Sequence, residues 1–430
     1  MNKNSSNSGL IPRINLLPFI LVTSLFFMWG LANNMTDTLL AAFKKIMSMT
    51  DFQTSWIQLS FYGSYFVLAF PAALFIKRFT YKAGVLLGLG LFVSGSLLFY
   101  PASNTMVYGH FLAALFILAG GLSVLETSAN PYIIAMGPEE TGTRRLNLAQ
   151  SFNPIGSITG VLLSKLFILS NLNRANEAER ALMSTEDLQN IQSAELNAVM
   201  GPYVGVAFVL VLIWLLIAFT RMPKASDAGT EMNLAPTLKR LFSNSNYVWG
   251  VIAQFFYVGA QIGIWSYTIR YVMLELSLDE EQASSYYLAA LVLFTLSRFI
   301  FTGLMKVFSP KDLLTFSAVL AIVASLFVIF GSGYVAVYAL VLISGCMSLM
   351  FPTIYGLAVV GLGNDTKIGG SGLIMAILGG AVITAIQGQV SDLTGNIKLA
   401  YFVPLLCFVV IVIYSRVGGR RAPAGVEYAK

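Results

Sequence analysis

Twelve stretches of about twenty apolar residues recur from one end of the chain to the other, and no other feature narrows its possible folds so far. They fall at 16–43, 53–76, 83–101, 108–136, 146–169, 202–220, 247–273, 283–305, 313–331, 334–360, 368–390 and 399–415. A helix rises about 1.5 Å per residue, so roughly 20 such residues cross a hydrocarbon layer about 30 Å thick. Lipid offers the backbone no hydrogen-bond partners, so only helices or a closed barrel can span it. The period-two alternation of barrel strands is absent, which leaves helices. Composition excludes the soluble alternative. Of 430 residues, 57% are hydrophobic and 11% charged, against roughly 25% charged in soluble domains. The expected fold class is an all-α membrane protein of twelve transmembrane helices.

Lys3 and Arg13 precede the first run as in a signal peptide. The run is far longer than a signal's roughly 7–15 apolar residues and ends in no small-residue cleavage site, so it is expected to stay as a helix. The net charge of +6 is scattered over short connectors with no aromatic-lined patch, which argues against nucleic acid. Cys346 and Cys407 sit inside apolar runs and His110 is the single histidine, so neither a disulfide nor a metal centre is expected, and no cofactor.

Connector charge predicts orientation. With the N-terminus inside, the cytoplasmic connectors hold Lys77, Arg78, Lys82, Arg144, Arg145, the basic residues between Arg221 and Arg240, Lys306, Lys311, Lys367 and the tail from Arg416. The opposite face holds Lys44, Lys45, Arg174, Arg180 and Lys398. Both termini are therefore expected in the cytoplasm, and Lys165 and Arg270, near outer ends of spans, are expected to snorkel to water. Of the two long connectors, 171–200 reads as a solvated outer cap that becomes helical from Ser184. The other, 223–246, carries Pro223, Gly229 and Pro236 and reads as a cytoplasmic linker between an N-terminal bundle, 1–222, and a C-terminal bundle, 247–430. Span one has Phe26-Phe27 before Trp29-Gly30, and span seven has Phe255-Phe256 before Val258-Gly259. Span four has Gly120-Gly121 and Pro131, and span ten has Gly345 and Pro352. Equivalent spans in the same direction imply parallel repeats, the layout of the major facilitator fold of two six-helix bundles.

An ionisable group deep in a span costs several kcal/mol on the more conservative scales, so Asp37, Glu126 and Arg298 are functional candidates. A carboxyl group that meets water alternately from either face could load and release a proton. Arg298 stays charged and would pair with a carboxylate or donate to ligand oxygens. An uncharged polar set surrounds them. Asn33 and Asn34 lie beside Asp37, and Asn130 lies four residues beyond Glu126. Asn147, Gln150 and Asn153 share a face of span five. Gln254, Tyr257, Gln261 and Trp265 share one of span seven, with Thr353 and Tyr355 on span ten and Gln387 on span eleven. Amides both donate and accept, as sugar hydroxyls do, and aromatic faces suit the apolar face of a pyranose. Amides between helices also act as simple interhelical glue, so the pattern as a whole, not any single amide, favours a neutral polyhydroxylated ligand.

The residues that carry this chemistry resemble the fucose permeases, proton-coupled sugar symporters of the major facilitator superfamily. The likeness rests on FFMWGLANNMTDTLL, FYGSYFVLAFPA, RFTYKAG, LETSANP, RLNLAQSFN, AQFFYVGAQ, WSYTIRY, FPTIYGLA and NDTK, spread over residues 16–415. It implies alternating access, proton coupling and sugar binding at Asp37 and Glu126, and sugar contacts at Asn153 and Arg298. It also implies a multi-pass monomer of the bacterial inner membrane whose partners are a monosaccharide, L-fucose first, protons and the lipid bilayer. Relatives of that family carry glucose, galactose or N-acetylglucosamine, and a passive facilitator would use the same pocket. Phe75-Ile76-Lys77-Arg78 departs from the acidic signature common among facilitators at this point. Pro154, directly after Asn153, is expected to bend span five. No nucleophile-base motif suggests an enzyme.

Overall fold

The structure, a computed structural model, describes residues 10–46, 51–105, 107–168, 173, 179–180, 182–223 and 234–417, without the side chains of 36–46, 51–55, 58, 103, 168, 185 and 196–200. Twelve spans follow in chain order: α1 (Leu16–Ile46), α2 (Asp51–Arg78), α3 (Tyr81–Thr105), α4 (Tyr108–Ala135), α5 (Gly142–Gln150 then Phe152–Leu163) and α6 (Thr185–Phe219). The second half holds α7 (Ser245–Leu276), α8 (Glu280–Leu304), α9 (Pro310–Phe330), α10 (Gly333–Met347 then Met350–Val359), α11 (Thr366–Met375 then Gly379–Thr394) and α12 (Phe402–Val417). Among the described residues, 11 helices are long and apolar enough to cross a membrane. The span outside that set is α5, which carries Arg144, Arg145, Asn147, Gln150 and Asn153 and breaks at Ser151.

Caps mark the polar ends. Side chains of Ser184, Asn244, Asp279 and Ser309 accept from backbone N–H groups in the first turns of α6, α7, α8 and α9, satisfying donors that have no partner within the helix. Helix α6 begins at Thr185 and runs 35 residues through Pro202, so the expected outer cap is one continuous rod with span six. At about 1.5 Å per residue it outreaches a hydrocarbon layer about 30 Å thick. Its protruding turns are anchored by the buried pair Arg180–Glu195 at 2.5 Å, and Glu195 also accepts from the Asn173 backbone N–H at 2.8 Å. Large apolar side chains such as Phe208, Leu212, Phe316, Phe327 and Leu406 stand exposed on the outer faces, as a lipid environment allows. Lys165, Arg270 and His110 are exposed too. Cys346 and Cys407 are buried free thiols.

Corresponding helices pack alike in the two halves. Helix α1 lies on α5 so closely that a Cβ at Gly156 would overlap the Phe27 carbonyl, and α7 lies on α11 so that one at Gly379 would overlap the Phe255 carbonyl. Glycine is what lets the backbones touch in both places. The halves meet at the end where α1 begins and α12 finishes. There the first segment of α5 packs on the second segment of α10, with the Asn147 amide donating to the Thr353 hydroxyl at 3.2 Å. Thr143 sits directly against Gly356. Arg145, fully buried beside this seam, donates to the carbonyls of Leu10, Ile133, Ile134 and Pro138 and to the Thr141 hydroxyl. Of the expected linker, 224–233 lies outside the described residues. The helix Leu234–Ser243 follows, and its Arg240 grips Asp365, before α11, at 2.7 and 2.8 Å.

Candidate functional site

A cavity of about 190 Å³ lies between the halves, walled by α1, α2, α4 and α5 on one side and by α7, α8, α10 and α11 on the other. Sites for drug-sized ligands run to roughly 300–1,000 Å³, so this one is on the scale of a single sugar ring.

Helix α1 presents Trp29 and Asn33 at i and i+4, with Asn34 alongside. Asn33 Oδ1 is buried without a hydrogen-bond partner among the described residues. Asp37 is the next step on the same stripe, and its side chain lies outside the described residues. Glu126 enters from α4, 1% exposed, and neither carboxylate oxygen has a hydrogen-bond partner among the described residues. The Tyr65 hydroxyl is close enough to interact with it, and the Trp29 indole with Tyr65, yet none of these groups reaches ordinary hydrogen-bond geometry. A buried carboxyl group with unmade bonds is a costly arrangement unless a proton, water or ligand completes it.

Helix α5 contributes Gln150 and Asn153 at its break. The Gln150 amide donates to Asn130 Oδ1 at 2.8 Å and the Asn153 amide to the Phe26 carbonyl at 3.2 Å. From the other half, Gln261 and Trp265 line the wall. The Trp265 indole donates to Ser344 at 3.2 Å and packs edge-on against Phe294 at 5.0 Å. Arg298 is 3% exposed and lies over the Phe294 ring, 4.6 Å from its centre. Its Nη1 donates to the Gln150 carbonyl at 2.9 Å and its Nε to the Ser348 carbonyl. Among the described residues it pairs with no carboxylate: its charge is met by carbonyls.

The structure thus brings Asn33, Asn34, Glu126, Gln150, Asn153, Gln261, Trp265 and Arg298 to one cavity. It does not bring Asn130, Gln254 or Tyr355 to the wall. Asn130 is fully buried behind Gln150. Gln254 and Tyr355 are fully buried toward the end where the halves meet, and their polar side-chain atoms have no hydrogen-bond partners among the described residues. The polar stripe on α7 outruns the cavity because α10 closes over it, the Tyr257 hydroxyl donating to the Met347 carbonyl at 3.1 Å. Sequence reasoning missed the aromatic wall: Trp29, Tyr62, Tyr65, Tyr287 and Phe351. A signal existed in part, since Trp29 and Asn33 share a stripe, as do Tyr62 and Tyr65 three apart.

Amides, aromatic rings, the Glu126 carboxyl and the Arg298 guanidinium suit a small neutral polyol: hydroxyls exchange hydrogen bonds with the amides while the ring's CH face lies on the aromatics. No cluster of metal-ligating side chains occurs among the described residues.

Residues 21–385 match the Major Facilitator Superfamily. An L-fucose-proton symporter of Haemophilus influenzae is 40% identical over 422 residues, which span 95% of this chain and 98% of that one. A glucose/galactose transporter of Brucella abortus biovar 1 is 32% identical over 405 residues, 93% of each chain. A crystal structure of a superfamily transporter in the outward conformation matches with a TM-score of 0.90 at 40% identity, covering 95% of this chain and 100% of that chain.

Proposed function

Since the chain belongs to the Major Facilitator Superfamily, we propose that it is a transporter, not an enzyme, that carries a monosaccharide, L-fucose first, together with protons. The observation that carries this reading is Glu126, a buried carboxyl group with no hydrogen-bond partner among the described residues, set in the wall of a sugar-sized cavity shared by both halves. Similarity to an L-fucose-proton symporter over nearly the whole chain supports the choice of sugar.

Glu126 and Asp37 take up the protons. Asn33, Asn34, Gln150, Asn153, Gln261, Trp265 and Arg298 hold the sugar, while Asn130, Gln254 and Tyr355 support from behind. The units 1–222 and 247–430 rock about the cavity, joined by 223–246. A ligand moves such an equilibrium only by binding one state better than the other, and proton and sugar together supply that difference. The protein works as a monomer in the bacterial inner membrane with both termini in the cytoplasm. The end where the halves are in contact is then the cytoplasmic end, and the cavity faces outward.

The test is uptake of labelled L-fucose into proteoliposomes with and without an inward proton gradient, with glucose, galactose and N-acetylglucosamine as competitors. Gradient-dependent accumulation blocked by L-fucose alone is the expected result. Competition by glucose or galactose would move the substrate to that of the Brucella relative. Equilibration that ignores the gradient would leave a passive facilitator.

A further inference from the structure

Each of the two carbonyls that hold Arg298 lies four residues before a proline. Gln150 ends the first segment of α5 and Pro154 follows four positions on; Ser348 sits in the break of α10 and Pro352 follows four positions on. In an α-helix the carbonyl of residue i accepts from the N–H of residue i+4, and proline has no N–H. Both carbonyls are therefore released from the usual helical bond, and both accept from one guanidinium. Arg298 and Ser348 belong to the C-terminal half and Gln150 to the N-terminal half, so a single side chain spans the seam. The planar guanidinium can serve two acceptors at once and still keep three of its five N–H donors for the cavity it lines.

We propose that Pro154 and Pro352 are positioning residues of a cross-half latch. Each withholds the N–H that would compete for its carbonyl, and Arg298 fastens the halves by binding both carbonyls together. The bond to Ser348 travels with its own half and keeps the guanidinium aimed. The bond to Gln150 is the one that breaks when the halves rock apart. The latch rests on the reading of this chain as an alternating-access carrier. It accounts for how a permanently charged group sits buried here with no carboxylate partner among the described residues: charge-assisted bonds to two freed carbonyls compensate for the lost hydration.

The test uses a reporter cysteine at Thr143, which lies buried against Gly356 of the opposite half at the end where the halves meet. The rate of maleimide labelling of Thr143→Cys in membranes reads the separation of that seam, with buried Cys346 and Cys407 as background. Pro154→Ala restores the competing N–H and should raise the labelling rate about tenfold, the worth of one charge-assisted bond. Arg298→Gln should raise it as much, and the two together should add nothing further. Pro352→Ala should raise it less, because the bond it weakens does not cross the seam. A rate within about twofold of the parent for Pro154→Ala, or full additivity with Arg298→Gln, overturns the latch. Replacing proline by alanine within a helix favours folding. Should Pro154→Ala nevertheless fail to assemble, Arg298→Lys keeps the charge and loses the planar fork: labelling as in Arg298→Gln supports the latch, and parent-like labelling overturns it. The assay needs no sugar. A parent protein that moves no L-fucose would defeat the functional reading and leave the labelling result standing, whereas unchanged labelling in an active carrier defeats the latch alone.

Discussion

Gln150 donates to Asn130 at 2.8 Å, and Asn130 in turn donates to the Glu126 carbonyl at 3.1 Å, so the α5 amide that lines the cavity is aimed from the helix that carries the buried carboxyl group. Asn130 therefore acts on ligand through Gln150. Asn130→Ala should weaken sugar binding about tenfold, or about 1.4 kcal/mol, by leaving the Gln150 amide without its acceptor. Calorimetric titration of purified protein reads this. With Gln150→Ala already present, Asn130→Ala should cost little more, and full additivity would give Asn130 a contact of its own.

Glu126→Gln preserves shape and removes the proton site. The variant should still exchange labelled sugar across proteoliposome membranes while losing accumulation driven by a proton gradient. Normal accumulation would remove Glu126 from the coupling step.

Glu195→Gln neutralises the carboxylate that pairs with the buried Arg180 guanidinium at 2.5 Å and weakens a charge-assisted bond, at a cost of about 1.5–3 kcal/mol. Thermal unfolding of purified protein should show a clear loss of stability. Sugar affinity should stay as in the parent, because neither residue lines the cavity.

Gly156→Val places side-chain atoms on the Phe27 carbonyl, and Gly379→Val does the same against Phe255. Each should destabilise its half by about 1–3 kcal/mol through overpacking. Gly90→Ala is the control, since a Cβ there meets nothing within 4 Å, and it should be neutral or stabilising by up to about 1 kcal/mol. A destabilised Gly90→Ala with an unaffected Gly156→Val would refute the close packing of α1 on α5.

Reading along the chain picked out the helices and many of the cavity residues for one reason: lipid penalises each polar group separately, so a costly residue such as Glu126 or Arg298 shows itself without knowledge of its neighbours. Shared faces were visible as well, because helical periodicity is local; Gln261 and Trp265 both reached the wall they were expected to share. The same periodicity carried the expectation too far at Gln254, on the same stripe but buried where α10 closes over α7. The outer connector is helical from Ser184 as its residues suggest, but that it joins span six in one unbroken rod through Pro202 is a feature that the local pattern did not contain.

That this chain crosses a membrane as helices, and which few polar groups are costly enough to be functional candidates, is legible in the amino-acid sequence, since hydrophobic length and the cost of burying charge are properties of single segments. Which of those groups share a cavity, and what each one touches, follows from how the helices pack in three dimensions. Arg298 and Gln150 stand 148 residues apart in the chain, and nothing in either segment shows that one will hold the other's carbonyl. That contact exists because two six-helix halves close against each other at one end, and closure of this kind depends on the packing of whole surfaces.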